Sequence, residues 1–423
     1  MYIFKINSYK NLIILVLVLF VNCGGLSNVP ISVKFNFNTI KRIGNSGCNW
    51  CITWVKGDNQ ITSMDDGDWL CPVSALDGKS SLSNGESRYY HHIYRIIGDS
   101  VNFKREDIPG YPRFLKEGDG WFGYGIYSVN ETIYSLVSKA PSNRWDGPFT
   151  GIKMLKSSDN GNNWYRVNRT GRERLLEPND EAREEVNQEE MFFFEEFGII
   201  RHGKKAYPFS FCSFVQNGQD NNAAKDKYVY IYSPEGAQSN HLCLARVNSN
   251  TIEKRDTWEF FSGWNGNKPK WTNDIRMRSA VHVFPEKNQH GEYFGWYSWL
   301  PSVVWNPGLN LYIMVNGGTY AGHGLTDSED DYYNPWMHTK TGSLGFWYSE
   351  KPYGPWKQFY YTDCWTVDDE KNRTYQPKLS PKWISKDGKK MVLIWSDAMK
   401  DEKGRSHSVN YLWNQMEIEI LTK

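Results

Sequence analysis

Short runs of aromatic and β-branched residues recur along the whole chain, each cut off by Gly, Asn, Asp or Pro. Helical periodicity is almost absent between them. Tyr89 to Ile97, Tyr228 to Tyr232, Leu311 to Val315 and Met391 to Trp395 each read as a strand. The stretch Glu177 to Glu190 is the one helical candidate. It is acidic and nearly free of apolar residues, so it reads better as a solvated insert than as a helix with a buried face.

The strand runs group into approximate repeats of roughly 50 to 80 residues, the spacing of four-stranded blades with loop insertions. Segments near Gly47 to Gly98, Gly120 to Asn168, Met191 to Gly263, Arg276 to Trp356 and Tyr375 to Ile420 fit this pattern. The expected fold is therefore all-β: a five-bladed β-propeller, one domain over residues 26–423. Two local patterns support blades. Ser157-Ser158-Asp159-Asn160-Gly161-Asn162-Asn163-Trp164 resembles the sialidase Asp box, a structural hairpin turn, with Asn163 where Thr is usual. Gly345 to Ser349 followed by Gly354-Pro355-Trp356 reads as a strand, a turn and an outer strand.

The chain has 423 residues, long enough for a large core, and 16% of them are aromatic, including 19 Trp. The formal net charge of +1 gives no basic excess to attract nucleic acid. Lys5 and Lys10 precede an apolar run from Leu12 to Val21, too short to span a bilayer comfortably, so residues 1–25 read as an export signal. Cys23 would then be either the acylated residue of a lipoprotein or part of a simple cleavage region. Phe20 and Asn22 fit a lipobox poorly. The expected location is secreted or attached to the cell surface, with membrane contact only through such an anchor. Six cysteines remain after Cys23. Cys48, Cys51 and Cys71 allow a local disulfide or plain buried thiols. A lone CxxC supplies half of a zinc site's four ligands, so zinc is not expected. With no phosphate loop, dinucleotide fingerprint, HExxH or dense oxygen-ligand motif, no other metal or cofactor is expected either.

Glycoside hydrolysis needs two carboxyl groups flanking the scissile bond, so acids near strand ends in different blades are the candidates. Asp65-Asp66-Gly67-Asp68 reads as the turn that closes the strand Gln60 to Met64, with Asp66 the first catalytic candidate and Asp65 beside the substrate. Ordinary Asp/Gly turn chemistry is the competing explanation. Glu195, Asp220 and Asp226 are the candidate partner acids; a solvated loop explains each equally simply. Arg276 and Arg278, on one strand face, would clamp hydroxyls or a carboxylate, or else form two salt bridges. Trp54, Trp299 and Trp305, with Trp296 and Tyr297, are candidate sugar-stacking rings or core residues. Asn306 lies in a turn and His323 in a glycine-rich loop, both candidates for the cleft.

Trp50 to Trp54 with Asp66-Gly67 resembles the W-x-x-T-W…G-D-G opening of a bacterial family long known only as a domain of unknown function. Asp226 to Tyr232, Leu244 to Val247, Phe260 to Gly263, Trp271-Thr272, Ser302 to Pro307 and Gly345 to Trp356 extend the resemblance over nearly the whole mature chain. That family is similar in architecture to arabinanase and xylosidase propellers and includes endo-D-arabinanases. The resemblance implies a glycoside hydrolase with Asp66 at the first-blade carboxylate. Two departures stand out. Cys48-Asn49 takes the place of an acid before the first Trp, and Asp65 stands where Gly is expected. The leading expectation is a secreted, monomeric hydrolase of a furanose-rich polysaccharide. Retained glycan binding without cleavage is the alternative, and a structural or protein-binding scaffold is the third.

Overall fold

The computed structural model describes residues 28–44, 46–69, 89–115, 120–139, 149–177, 190–196, 207–235, 240–284, 301–318, 342–368, 373–398 and 410–423. Over these residues the protein is all-β, with helical turns limited to short 3-10 segments. Trp296, Tyr297, Trp299, His323, Cys71 and most of the acidic insert lie outside the described residues.

The strands form antiparallel meanders in chain order. The first contains Ser46–Cys48, Ile52–Trp54, Gln60–Asp68, Tyr89–Ile97 and Lys104–Asp107. The second runs through Trp121–Val129, Thr132–Lys139, Ile152–Ser157, Trp164–Val167 and Glu173–Leu176. The third is Ser213–Gln216, Tyr228–Pro234, His241–Asn248, Glu259–Asn265 and Lys268–Thr272. The fourth is Ser302–Asn306, Leu311–Gly318, Gly342–Ser349 and Lys357–Trp365, joined to the third by a parallel pairing of Val215 with Val303. The last comprises Arg373–Ile384, Lys390–Ala398 and Trp413–Thr422. The N-terminal strand Pro30–Phe35 completes it, pairing Val33 with Ile420. The two ends of the described chain thus share one sheet.

Period-two alternation explains why the strand runs are so apolar. In Tyr228–Pro234, Val229 and Ile231 enter the core shared with the second meander, while Tyr230 and Tyr232 enter the core shared with the fourth. In Leu311–Gly318, Tyr312 and Met314 face the third meander and Ile313 and Val315 face the last. Each sheet is buried on both faces, so both sets of alternating positions must be apolar. Each such side chain contributes about 1.5–3 kcal/mol on burial. One hydrophobic cluster lies between each pair of successive meanders. A further cluster, with Trp50, Trp69, Trp383 and Trp413, lies between the last and the first.

The leading strands touch in the same cyclic order. Ile52–Trp54 meets Trp121–Val129, which meets Ser213–Gln216, then Ser302–Asn306, then Arg373–Ile384, which returns to Ile52–Trp54. Side chains bridge them around the axis. Thr53 Oγ1 donates to Gln216 Oε1 at 2.8 Å, and Gln216 Nε2 donates to the Ile126 carbonyl at 2.9 Å. One end of the axis is therefore built from the beginnings of these strands and the other from their ends.

Both local patterns hold. In the Asp-box hairpin, Asp159 Oδ1 accepts from Ser157 Oγ and the Asn163 N–H, both at 2.9 Å, and Trp164 is fully buried. Asn163 supports the turn in place of Thr, its amide donating to Asp159 Oδ2 at 2.6 Å. Gly342–Ser349 and Lys357–Trp365 are the expected strand and outer strand, with Trp356 buried between them in sequence. Cys48 and Cys51 are both buried, and no disulfide joins the two.

Candidate functional site

The Asp-rich segment is not a turn. Gln60–Asp68 is one continuous strand, because Cys48 and His91 pair with Asp65 on either side and Gly67 pairs with Tyr89. Asp66 falls between these paired residues with a φ of 52°, a bulge that breaks the alternation. Gly67 follows because a Cβ there would lie 2.1 Å from the Ser46 carbonyl oxygen. The bulge leaves Asp66 half-buried and turns Asp65 fully inward.

Asp65 sits in a cradle of three donors at the end of the axis where the leading strands begin. Its Oδ2 accepts from Asn49 Nδ2 at 2.7 Å. Its Oδ1 accepts from the Gly123 N–H at 3.0 Å and faces His91 Nδ1 at 2.8 Å. Asn49 also donates to the Gly123 carbonyl at 2.9 Å, tying the first and second meanders together. Three donors thus converge on one carboxylate that is shut off from solvent. Burial pushes the His91 imidazole down to about 3, so the ring is neutral.

Other polar groups gather at this place. Lys378, from Arg373–Ile384, is buried; burial lowers its pKa, while Cys51, Cys48 and Asp65 act in the opposite direction. Burial raises the Cys51 thiol, against the pull of Lys378. Cys51 Sγ lies 3.1 Å from the Tyr124 carbonyl, and Tyr411 Oη donates to Cys48 Sγ at 2.9 Å. Phe122, Tyr124, Phe149 and Phe211 form a contiguous aromatic wall on the adjoining second and third meanders. Asp397 is a further buried acid, on the last meander. Burial lifts it to about 7, against the hydrogen bond that its Oδ1 accepts from Trp395 Nε1 at 3.0 Å.

The other candidate acids do not meet Asp65. Asp220 accepts from Ser128 Oγ at 2.7 Å and the Glu131 N–H at 2.9 Å. Ser128 and Gly123 lie on the same strand, Trp121–Val129, separated by roughly 16 Å at the rise of an extended chain. Asp220 therefore braces turns at the opposite end of the axis. The carboxyl separations that hydrolysis uses are about 5–9.5 Å. Asp226 caps the Tyr228 N–H at 2.9 Å and accepts from the Tyr230 hydroxyl at 2.7 Å. It stands at the mouth of the turn leading out of Ser213–Gln216, on Asp220's side. Glu195 is held by Arg169 at 3.1 Å and Arg255 at 2.7 Å. It is a structural ion pair, because the Arg255 guanidinium lies against the buried rings Phe193 and Phe260.

The candidate binding residues divide in the same way. Trp54 donates to Asp58 at 3.1 Å in a hairpin at the ends of the leading strands. Trp305 is buried, with Lys225 Nζ 4.0 Å from its ring centre. Asn306 is fully buried; it donates to the Gly388 carbonyl at 2.7 Å and accepts from the Leu309 N–H at 3.1 Å, so it closes a turn. These three are far from Asp65 for the same topological reason as Asp220. Arg276 lies in a 3-10 turn, not on a strand face with Arg278, and is held by Asp274 at 2.8 Å; Arg278 pairs with Glu235. The salt-bridge alternative is the one realised.

Asn49, His91, Tyr111, Lys378 and Asp397 were not among the sequence candidates. Asn49 carried a signal as the residue before Trp50. His91-His92 carried another, two imidazoles inside an otherwise aromatic and apolar strand. Among the described residues no group of three or more His, Cys, Asp or Glu is placed to hold a metal ion.

No family model matches the sequence, and no curated protein matches it. Solved structures are similar to it at low identity. A Bacteroides ovatus protein provisionally described as a hydrolase is 12% identical, with 89% of this chain and 87% of that one covered and a TM-score of 0.49. The Bacteroides ovatus xyloglucan PUL protein GH43B is 11% identical, covering 91% of this chain and 54% of that one, TM-score 0.44. An α-L-arabinofuranosidase from Podospora anserina, solved with cellotriose, is 9% identical, covering 92% and 94%, TM-score 0.42. At these scores the likeness carries no argument about chemistry, which rests on the chain's own geometry.

Proposed function

We propose that this chain is a five-bladed β-propeller of glycoside-hydrolase type that engages a polysaccharide at the mouth where its leading strands begin. The cyclic contacts of those strands, and the core between the last and first meanders, support the five-bladed reading. In this reading residues 26–423 are one domain and residues 1–25 an export signal, so the protein works outside the cell or on its surface. Its substrate class is a neutral polysaccharide, with a furanose-rich arabinan the first candidate because of the W-x-x-T-W opening.

The observation that carries the proposal is the three-donor cradle of Asp65, with Asp66 set beside it by a bulge. Asp65 and Asp66 are the carboxyl groups that would work on a glycosidic oxygen and its water or sugar carbon. Left-handed backbone at a non-glycine residue is strain of the kind concentrated at working sites. A specific observation favours a second reading, binding without cleavage: the residue against Asp65 is Asn49, whose amide can neither protonate a leaving group nor attack a sugar. The test is incubation of the secreted protein with arabinans and other polysaccharides. Released oligosaccharides that vanish in Asp65→Asn support hydrolysis. Retention without release supports binding alone, and neither release nor retention overturns both.

A further inference from the structure

The cradle continues away from the mouth as an unbroken buried chain. His91 Nδ1 faces Asp65 at 2.8 Å, His91 Nε2 faces the Tyr111 hydroxyl at 2.7 Å, and that hydroxyl faces Ser135 Oγ at 2.9 Å. His91 and Ser135 are almost wholly excluded from solvent, as are Asp65 and Tyr111. The three residues behind Asp65 come from three places: the strand Tyr89–Ile97, the loop after Lys104–Asp107, and the strand Thr132–Lys139. The imidazole lies directly over Gly123, where a Cβ would be 1.8 Å from its Cε1. Phe114 and Tyr111 flank the ring at centroid distances of 5.7 and 5.5 Å. The ring is fixed in position and orientation.

We infer that His91, Tyr111 and Ser135 form a positioning relay that holds Asp65 in its ionised form. A neutral imidazole has one N–H and one lone pair, so its two neighbours must take complementary roles. Asp65, already accepting from Asn49 and Gly123, needs a donor from Nδ1. Nε2 must then accept from the Tyr111 hydroxyl, whose oxygen accepts from Ser135. This arrangement supplies one donor and one acceptor at each of the three contacts, and none of them requires a charged histidine; the Met64 backbone is a further hydrogen-bond neighbour of the ring. Reversing the chain would put the lone pair of Nδ1 against the carboxylate and remove one of its donors. Lys378 and Cys51 also face Asp65; the first favours its charge and the second opposes it when ionised. The relay adds a neutral donor that does not titrate over the physiological range.

The inference rests on Asp65 being the working carboxylate, but its test does not. Nitrogen-15 and carbon-13 NMR on the full chain would read the His91 tautomer and the Asp65 carboxyl resonance, assigned by difference from Asp65→Asn. The expected result is an Nδ1–H tautomer, unchanged between pH 5 and 8. His91→Phe should raise the midpoint of the Asp65 titration. His91→Asn, which keeps a donor near the Nδ1 position, should restore much of the original value. Tyr111→Phe should perturb Nε2 while leaving the Asp65 fold and cradle intact. An Nε2–H tautomer, or an Asp65 titration indifferent to His91→Phe in a folded protein, overturns the relay whether or not a glycan is found. Should His91→Phe not fold, the tautomer in the unaltered chain still decides. A relay confirmed by NMR in a protein that neither retains nor cleaves any polysaccharide would overturn the proposed function alone.

Discussion

Asn49 donates its amide to Asp65 at 2.7 Å, from a backbone held at a φ of 57°. Asn is among the few residues that tolerate that left-handed conformation. The same amide also bonds the Gly123 carbonyl, so one side chain fixes a carboxylate and links two meanders. Asp65→Asn should leave donors facing a donor and cost about 3 kcal/mol, read as a shift in the denaturation midpoint. It should also abolish glycan release, or weaken retention, in the same preparation.

Asn49→Asp places a second carboxyl against Asp65. Two like charges at this distance cannot both ionise, so one proton should be retained well above the usual carboxylate range. A group with a raised folded-state pKa stabilises the protein below its unfolded pKa and loses that contribution as pH rises. The variant should therefore be near normal in stability at pH 4 and clearly destabilised at pH 8 in urea titrations.

Asp220 and Asp65 mark opposite ends of the axis, and that separates their expected phenotypes. Asp220→Ala should leave glycan release or retention unchanged, while removing the brace on Ser128 and Glu131 at a cost of about 1–2 kcal/mol. Oligosaccharide assays on matched Asp220→Ala and Asp65→Asn samples check this. Loss of function in Asp220→Ala would move the working end to the other mouth.

Asp397 gives the native protein a pH dependence of its own. Burial raises it from 3.8 to about 7, so it is protonated in the folded state at mildly acidic pH. Its stabilising effect is full below about pH 4 and fades as pH rises through 7, a total on the order of 4 kcal/mol. Asp397→Asn should flatten that dependence: little change at pH 4 and a gain in stability at pH 8. Thermal or urea unfolding at the two pH values is the measurement.

Gly123→Ala should drive a methyl group into the His91 ring. Because the imidazole is enclosed by Tyr111 and Phe114, it has little room to yield, and the cost should reach about 3 kcal/mol. Circular dichroism through a denaturant series would measure it, and the His91 resonances should shift with it.

Much of the architecture was legible from residue order. Strand runs such as Tyr89 to Ile97 keep their sequence boundaries, because alternating apolar side chains can be buried only between two flanking sheets. The Asp-box turn was equally plain, since its hydrogen bonds all run between residues within a few positions of one another. The site was less so. Asp65 to Asp68 carries the composition of a turn, yet pairing with Cys48 and His91 holds it in a strand. Tertiary pairing outweighed local propensity there, and it moved the buried carboxylate from Asp66 to Asp65.

Composition and alternation by themselves determined that the chain would fold into sheets buried on both faces. Only the closed tertiary structure decided which acids could meet. Asp65, Asn49, His91, Gly123 and Lys378 come from different segments of the chain and converge at the end of a common axis where the leading strands begin. Asp220, Asp226 and Trp305 belong to the other end. Side-chain alternation specifies which face a residue occupies, but position along the axis depends on strand register, which neighbouring strands set through hydrogen bonds formed after the sheets assemble.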